Sequence, residues 1–182
     1  RLKLITDLAQ DPGLGLPEAV PPLRRRLQLA ELIAKLLDAQ PDLAPRAALY
    51  DLADSLATLM DEMQGEGVAP DAIAALDVSN HSKHWERTQT FLSIIAPLFA
   101  DTLDSEARQR LAVQRMTDRW QANPPRDPIL IAGSTGSRGT TALFMRAVAE
   151  LPQGALILPG FDPDTPKAVW QSIDDALTAE DH

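Results

Sequence analysis

No cysteine occurs among the 182 residues, which excludes disulfides and thiolate metal sites. Aromatic residues make up 4% of the chain, too few for a platform of rings on which bases stack. Three scattered histidines, His81, His84 and His182, give no basis for a Ser/His/Asp arrangement. Net positive charge is missing as well: 17 basic against 26 acidic side chains leave a formal charge of −9. A free-standing DNA-binding domain is usually basic, because phosphate neutralisation supplies much of its affinity. Weak or no DNA binding is therefore expected of this segment alone. No apolar run approaches the ~20 residues that cross a membrane, so no membrane association and a cytoplasmic location are expected. The chain opens on Arg1 with no leader-like stretch and stops at Glu180, Asp181 and His182. It reads as a segment of a longer protein.

What is present suits a globular fold. Apolar residues reach 45% at a mean hydropathy of −0.15, over a length that buries a proper core. Residues 2–6 read as a short strand and 10–22 as a loop punctuated by glycine and proline. A helix is expected over 23–39, with Leu23, Leu27, Ala30, Ile33 and Leu37 inward. A second, over 45–64, carries an apolar stripe from Leu49 to Met63 and stops at Gly65 and Gly67. A third spans 82–103, with Trp85 and Phe91 inward and Pro97 as a kink. A fourth starts at an N-cap, Asp104 or Ser105, and runs through Val113, Met116 and Trp120 to Asn123.

The pattern changes at Pro128. Ile129, Leu130, Ile131 and Ala132 form a continuous apolar run, the mark of a strand covered on both faces. A turn, a helix over 140–151, a second buried strand over 155–158 and a last amphipathic helix over 166–177 with Trp170 and Ile173 follow. Strand, helix, strand at this spacing predicts a parallel, right-handed βαβ unit. The expected fold class is α/β, predominantly helical: a small parallel sheet of about three strands with a four-helix insertion. Residues 1–21 and 124–182 form the α/β part and 22–123 the helical insertion.

One motif-like feature stands out, the loop at 133–141 with glycines at 133, 136 and 139. It follows a strand and opens a helix, so its N–H groups, with Ser134, Thr135, Ser137, Arg138 and Thr140, are candidates for holding a phosphate or a DNA backbone. It lacks the lysine of a Walker A loop and the glycine spacing of a dinucleotide fingerprint, and a flexible turn with Ser or Thr capping a helix is the favoured alternative. Arg24, Arg25 and Arg26 crowd a first helical turn, where cations oppose the helix dipole. A solvated face or ion pairs with neighbouring acids is favoured over a nucleic-acid contact. His81, His84 and Glu86 do not amount to a metal set, and no metal or other cofactor is expected. Asp51, Asp54, Asp61 and Glu62 fit a solvent face, and the tryptophans Trp85, Trp120 and Trp170 fit a core.

Two stretches carry a resemblance. One is Pro22-Leu-Arg-Arg-Arg-Leu-Gln-Leu-Ala-Glu-Leu-Ile33; the other runs from Ile131-Ala-Gly-Ser-Thr-Gly-Ser137 to Ala149-Glu-Leu-Pro-Gln-Gly-Ala-Leu-Ile-Leu-Pro-Gly-Phe-Asp162. They resemble the alphaproteobacterial type of AddB, a subunit of the AddAB helicase–nuclease that processes double-strand breaks for recombination. The resemblance implies part of a superfamily-one helicase-like domain, with the nucleotide-binding loop and the nuclease outside this chain. It implies as partners the AddA-type subunit and DNA in the full-length context. In active relatives the strand matching 129–131 ends in Asp-Glu, which hold Mg²⁺ and position water. Here Ala132 and Gly133 stand in those places, and the next strand gives Pro159, Gly160, Phe161 and Asp162. A non-catalytic segment is expected; a phosphate- or nucleotide-binding enzyme domain using the loop at 133–141, or a protein-interaction module, are the alternatives.

Overall fold

A computed structural model describes residues 2–69, 72, 93, 103–160 and 162–178. The helix expected at 82–103 falls outside the described residues except for positions 93 and 103, and so do His81, His84, Glu86 and His182.

Helix α1 (Pro22–Ala39) begins on a proline, whose fixed φ suits a first turn and whose missing N–H would go unbonded there. Helix α2 (Leu49–Glu66) ends on Gly67 at φ +73, a left-handed residue whose N–H returns to the carbonyls of Met63 and Gln64. The two helices pack through Leu29, Ile33 and Leu37 against Ala53, Leu56 and Met60. The buried face of α1 runs through Arg25, Leu29, Ile33 and Leu37, four residues apart. Leu23 and Leu27, expected inward, are instead 64% and 56% exposed. The leucine-rich surface is broad enough to be turned either way, and the carboxylates that meet Arg25 decide its rotation.

Helix α3 (Ser105–Ala122) is capped by Asp104, which accepts the Ala107 N–H at 2.8 Å. Its Val113 lies in one cluster with Leu8, Ile131, Phe144 and Val148. Its Ala112 packs with Ala9 and Leu14. Placed by sequence in the helical insertion, α3 thus shares its core with the strand–helix–strand unit. Trp120 is half-buried there, its ring 5.9 Å from that of Phe144.

Strands β1 (Ile129–Ala132) and β2 (Gly154–Ile157) are parallel, with Ile129 opposite Gly154 and Ala132 opposite Ile157. Helix α4 (Gly139–Ala149) crosses between them and covers one face through Phe144 and Val148. The other face is open: Leu130 and Ile157 are 62% and 59% exposed, which corrects the expectation of strands covered on both sides. The sheet has two strands among the described residues, not about three. Residues 5–10 turn into a 3-10 helix instead of joining it. Ile5 and Leu8, three apart, share a face of that helix, and both meet the cluster around Val113. Gln109 fastens the turn by donating to the Ile5 carbonyl and accepting the Ala9 N–H. A final helix, α5 (Lys167–Thr178), carries Trp170 and Ile173 at 39% and 47% exposure, so Trp170 is not the core residue expected. The fold is therefore α/β and predominantly helical. Among the described residues no helix is long and apolar enough to cross a membrane.

Candidate functional site

In parallel α/β sheets, ligands bind at the carboxyl ends of the strands. Here that edge is built by the loop 133–138 after β1 and the segment after β2. Gly133 and Gly136 take positive φ, +79 and +71, which lets the chain leave β1 and re-enter a helix within a few residues. Ser134 Oγ accepts the Gly136 N–H at 3.2 Å. Thr135, Ser137 and Arg138 are exposed, and Thr140 is buried.

The start of α4 already holds an anion. Gly139 N–H donates to Glu66 Oε1 at 2.8 Å, and Thr140 Oγ1 donates to the Gly65 carbonyl at 2.8 Å. A side chain at Gly139 would overlap the Glu66 carboxylate and come within 2.9 Å of its Cα. The C-terminus of α2 is thus docked on the N-terminus of α4, and Glu66 occupies the place where a phosphate reading of this loop needs its ligand. Glu66→Ala is expected to cost about 1 kcal/mol, as loss of a helix cap does, and to speed hydrogen exchange at Gly139. Unchanged exchange there would show that the contact does not hold the helix start.

Chemistry is absent from the described strand ends. Ala132 and Gly133 have no side chain able to hold a cation or take a proton. Beyond β2 lie Leu158, Pro159 and Gly160. Asp162 is engaged in its own turn, accepting the Asp164 N–H at 2.9 Å and the Thr165 hydroxyl at 3.2 Å. No group of three or more metal-ligating side chains exists among the described residues.

The three arginines of α1 part company. Arg24 is exposed. Arg26 makes a two-pronged pair with Asp54, at 2.6 and 2.9 Å, and lies over the Tyr50 ring. Arg25 is buried and donates to both oxygens of Asp61, at 2.6 and 3.0 Å, and to Asp104 Oδ2 at 2.6 Å. A phosphate would reach it only by displacing those carboxylates. Asp61, expected on a solvent face, is a half-exposed member of this network. With its NH₂ turned toward Asp104, Gln64 adds a further donor. The hydrogen bonds that Arg25 donates to Asp61 foremost hold its guanidinium above its usual range, against the effect of burial.

Burial pushes the Asp104 carboxyl above its usual 3.8, against the Ala107 N–H and Arg25, which favour the charge. A folded-state value above the unfolded one contributes stability at low pH that is lost as pH rises through it. Asp104→Asn keeps a good cap and removes this titration. The stability of the native protein minus that of this variant is therefore expected to fall as pH rises from about 4, in denaturation curves across pH 3.5–7. The lowered carboxyls Asp54, paired with Arg26, and Glu31, paired with Lys35, lose their contribution as pH falls, but equally in both proteins. A flat or rising difference would contradict the assignment.

Sequence reasoning missed how α3 uses its basic side chains. Arg108 donates to the Pro17 carbonyl, Arg115 to those of Leu14 and Gly15, Arg119 to Gly13 and Arg110 to Gly65, at 2.5–3.1 Å. Arg108, Arg115 and Arg119 satisfy carbonyls of the segment 13–17, which lies outside any sheet, and Arg110 satisfies one in the last turn of α2. Their spacing along the helix was visible in sequence; their acceptors, 45 to 106 residues away, were not. A cavity of about 840 Å³ opens beside them, between the first 3-10 helix, α2 and the starts of α3 and α4. Asp61, Glu62, Glu66 and Glu106 outnumber Arg108 and Arg138 on its wall, which disfavours a phosphorylated ligand.

These features define a predominantly helical α/β fold whose ligand edge carries no acid or base poised for catalysis among the described residues. Comparison of the chain with protein-family models, curated proteins and solved structures gives no match.

Proposed function

We propose that this chain is a non-catalytic, helicase-like scaffold segment of a double-strand break repair helicase–nuclease subunit of the AddB type, contributing to DNA guidance and subunit assembly. The observation that carries the reading is the chemistry at the carboxyl edge of the parallel strands. An ATPase of this architecture keeps its metal-holding and water-positioning acids there; this chain has Ala132 and Gly133, with Glu66 seated on the following helix. The AddB-like stretches lie in the elements that form this edge, β1, the loop 133–138, α4 and β2, and in α1. Exposed Leu23 and Leu27 on α1, one turn apart, support a role in assembly with an AddA-type subunit. Arg24 and Arg138 are the exposed cations of the candidate set for DNA contact, while Arg25 and Arg26 serve internal pairs. A formal charge of −9 agrees with weak DNA binding by the segment itself.

The test is ATP hydrolysis by the purified chain with Mg²⁺, with and without single-stranded DNA. No turnover above the protein-free blank is expected. Metal-dependent turnover that disappears on substituting Arg138 or Thr140 would overturn the proposal and favour an enzyme using the loop at 133–141.

A further inference from the structure

We draw no further inference here: the strongest candidate, the open face of the two-stranded sheet with Leu130 and Ile157 exposed, carries nothing because nothing in the structure shows what covers it.

Discussion

Arg25→Ala is expected to lower the unfolding free energy by about 3–5 kcal/mol at neutral pH, the range found when one partner of a buried ion pair is removed. The native side chain is 9% exposed and joins α1 to Asp61 of α2 and to Asp104 at the start of α3. Without it, Asp104, whose side chain is 3% exposed, keeps as donors among the described residues the Ala107 N–H and Gln64. Protonation offers an escape. Burial, which already holds this carboxyl above its usual range, makes that escape easier than for a free carboxyl. The deficit should therefore shrink as pH falls toward 4, where Asp104 is protonated at little cost. Urea denaturation followed by tryptophan fluorescence at pH 7 and pH 4.5 measures both. Adding Asp104→Asn to Arg25→Met should recover much of the loss, because a matched neutral set replaces an orphaned charge. A loss below about 1 kcal/mol at pH 7 would mean that the network does not hold the three helices together.

Gly154→Ala is expected to cost about 3 kcal/mol, at the upper end for overpacking. Gly154 begins β2, and its backbone runs against the end of α4. An added methyl group would overlap the Val148 carbonyl oxygen, approach its carbon to 2.8 Å and meet Leu151 Cβ at 3.1 Å. The obstacle is backbone, not a side chain that can swing aside. Relief requires β2 to move away from α4, which opens the first rung of the ladder, Ile129 opposite Gly154. Thermal unfolding should show the loss, and hydrogen exchange should show it first at the amides of β1 and β2. Gln153→Ala, one residue away and exposed, should be neutral within about 0.5 kcal/mol. Equal stability of the two variants would contradict the close approach.

Both positions show the limit of local pattern. Arg25 sits among leucines in a first turn where a cation is unfavourable, so its presence was a signal, but its partners lie 36 and 79 residues away. Gly154 reads as a turn residue after Pro152 and Gln153; its need for space comes from a carbonyl brought there by the α4 crossover. The loop at 133–141 was legible as a strand-to-helix turn, and the structure has that turn. That its helix start is filled by Glu66 follows from the packing of α2 on α4, which no spacing within the loop encodes. The helix at 105–122 was legible from its cap and apolar positions, yet its arginines were invisible as carbonyl clamps because their acceptors lie 45 to 106 residues away.

Sequence by itself determined the helices α1 to α4, the two parallel strands and the absence of acids after Ile131, since these depend on local periodicity, capping and residue identity. Tertiary structure alone decided which side of α1 faces inward, that residues 5–10 fold as a 3-10 helix against α3 and not as a third strand, and that the sheet is covered on one face. The physical reason is the same in each case. A broad apolar surface or a short β-prone run is compatible with several burials, and the choice falls to distant partners: Asp61 and the buried Asp104 for α1, and Gln109 for residues 5–10.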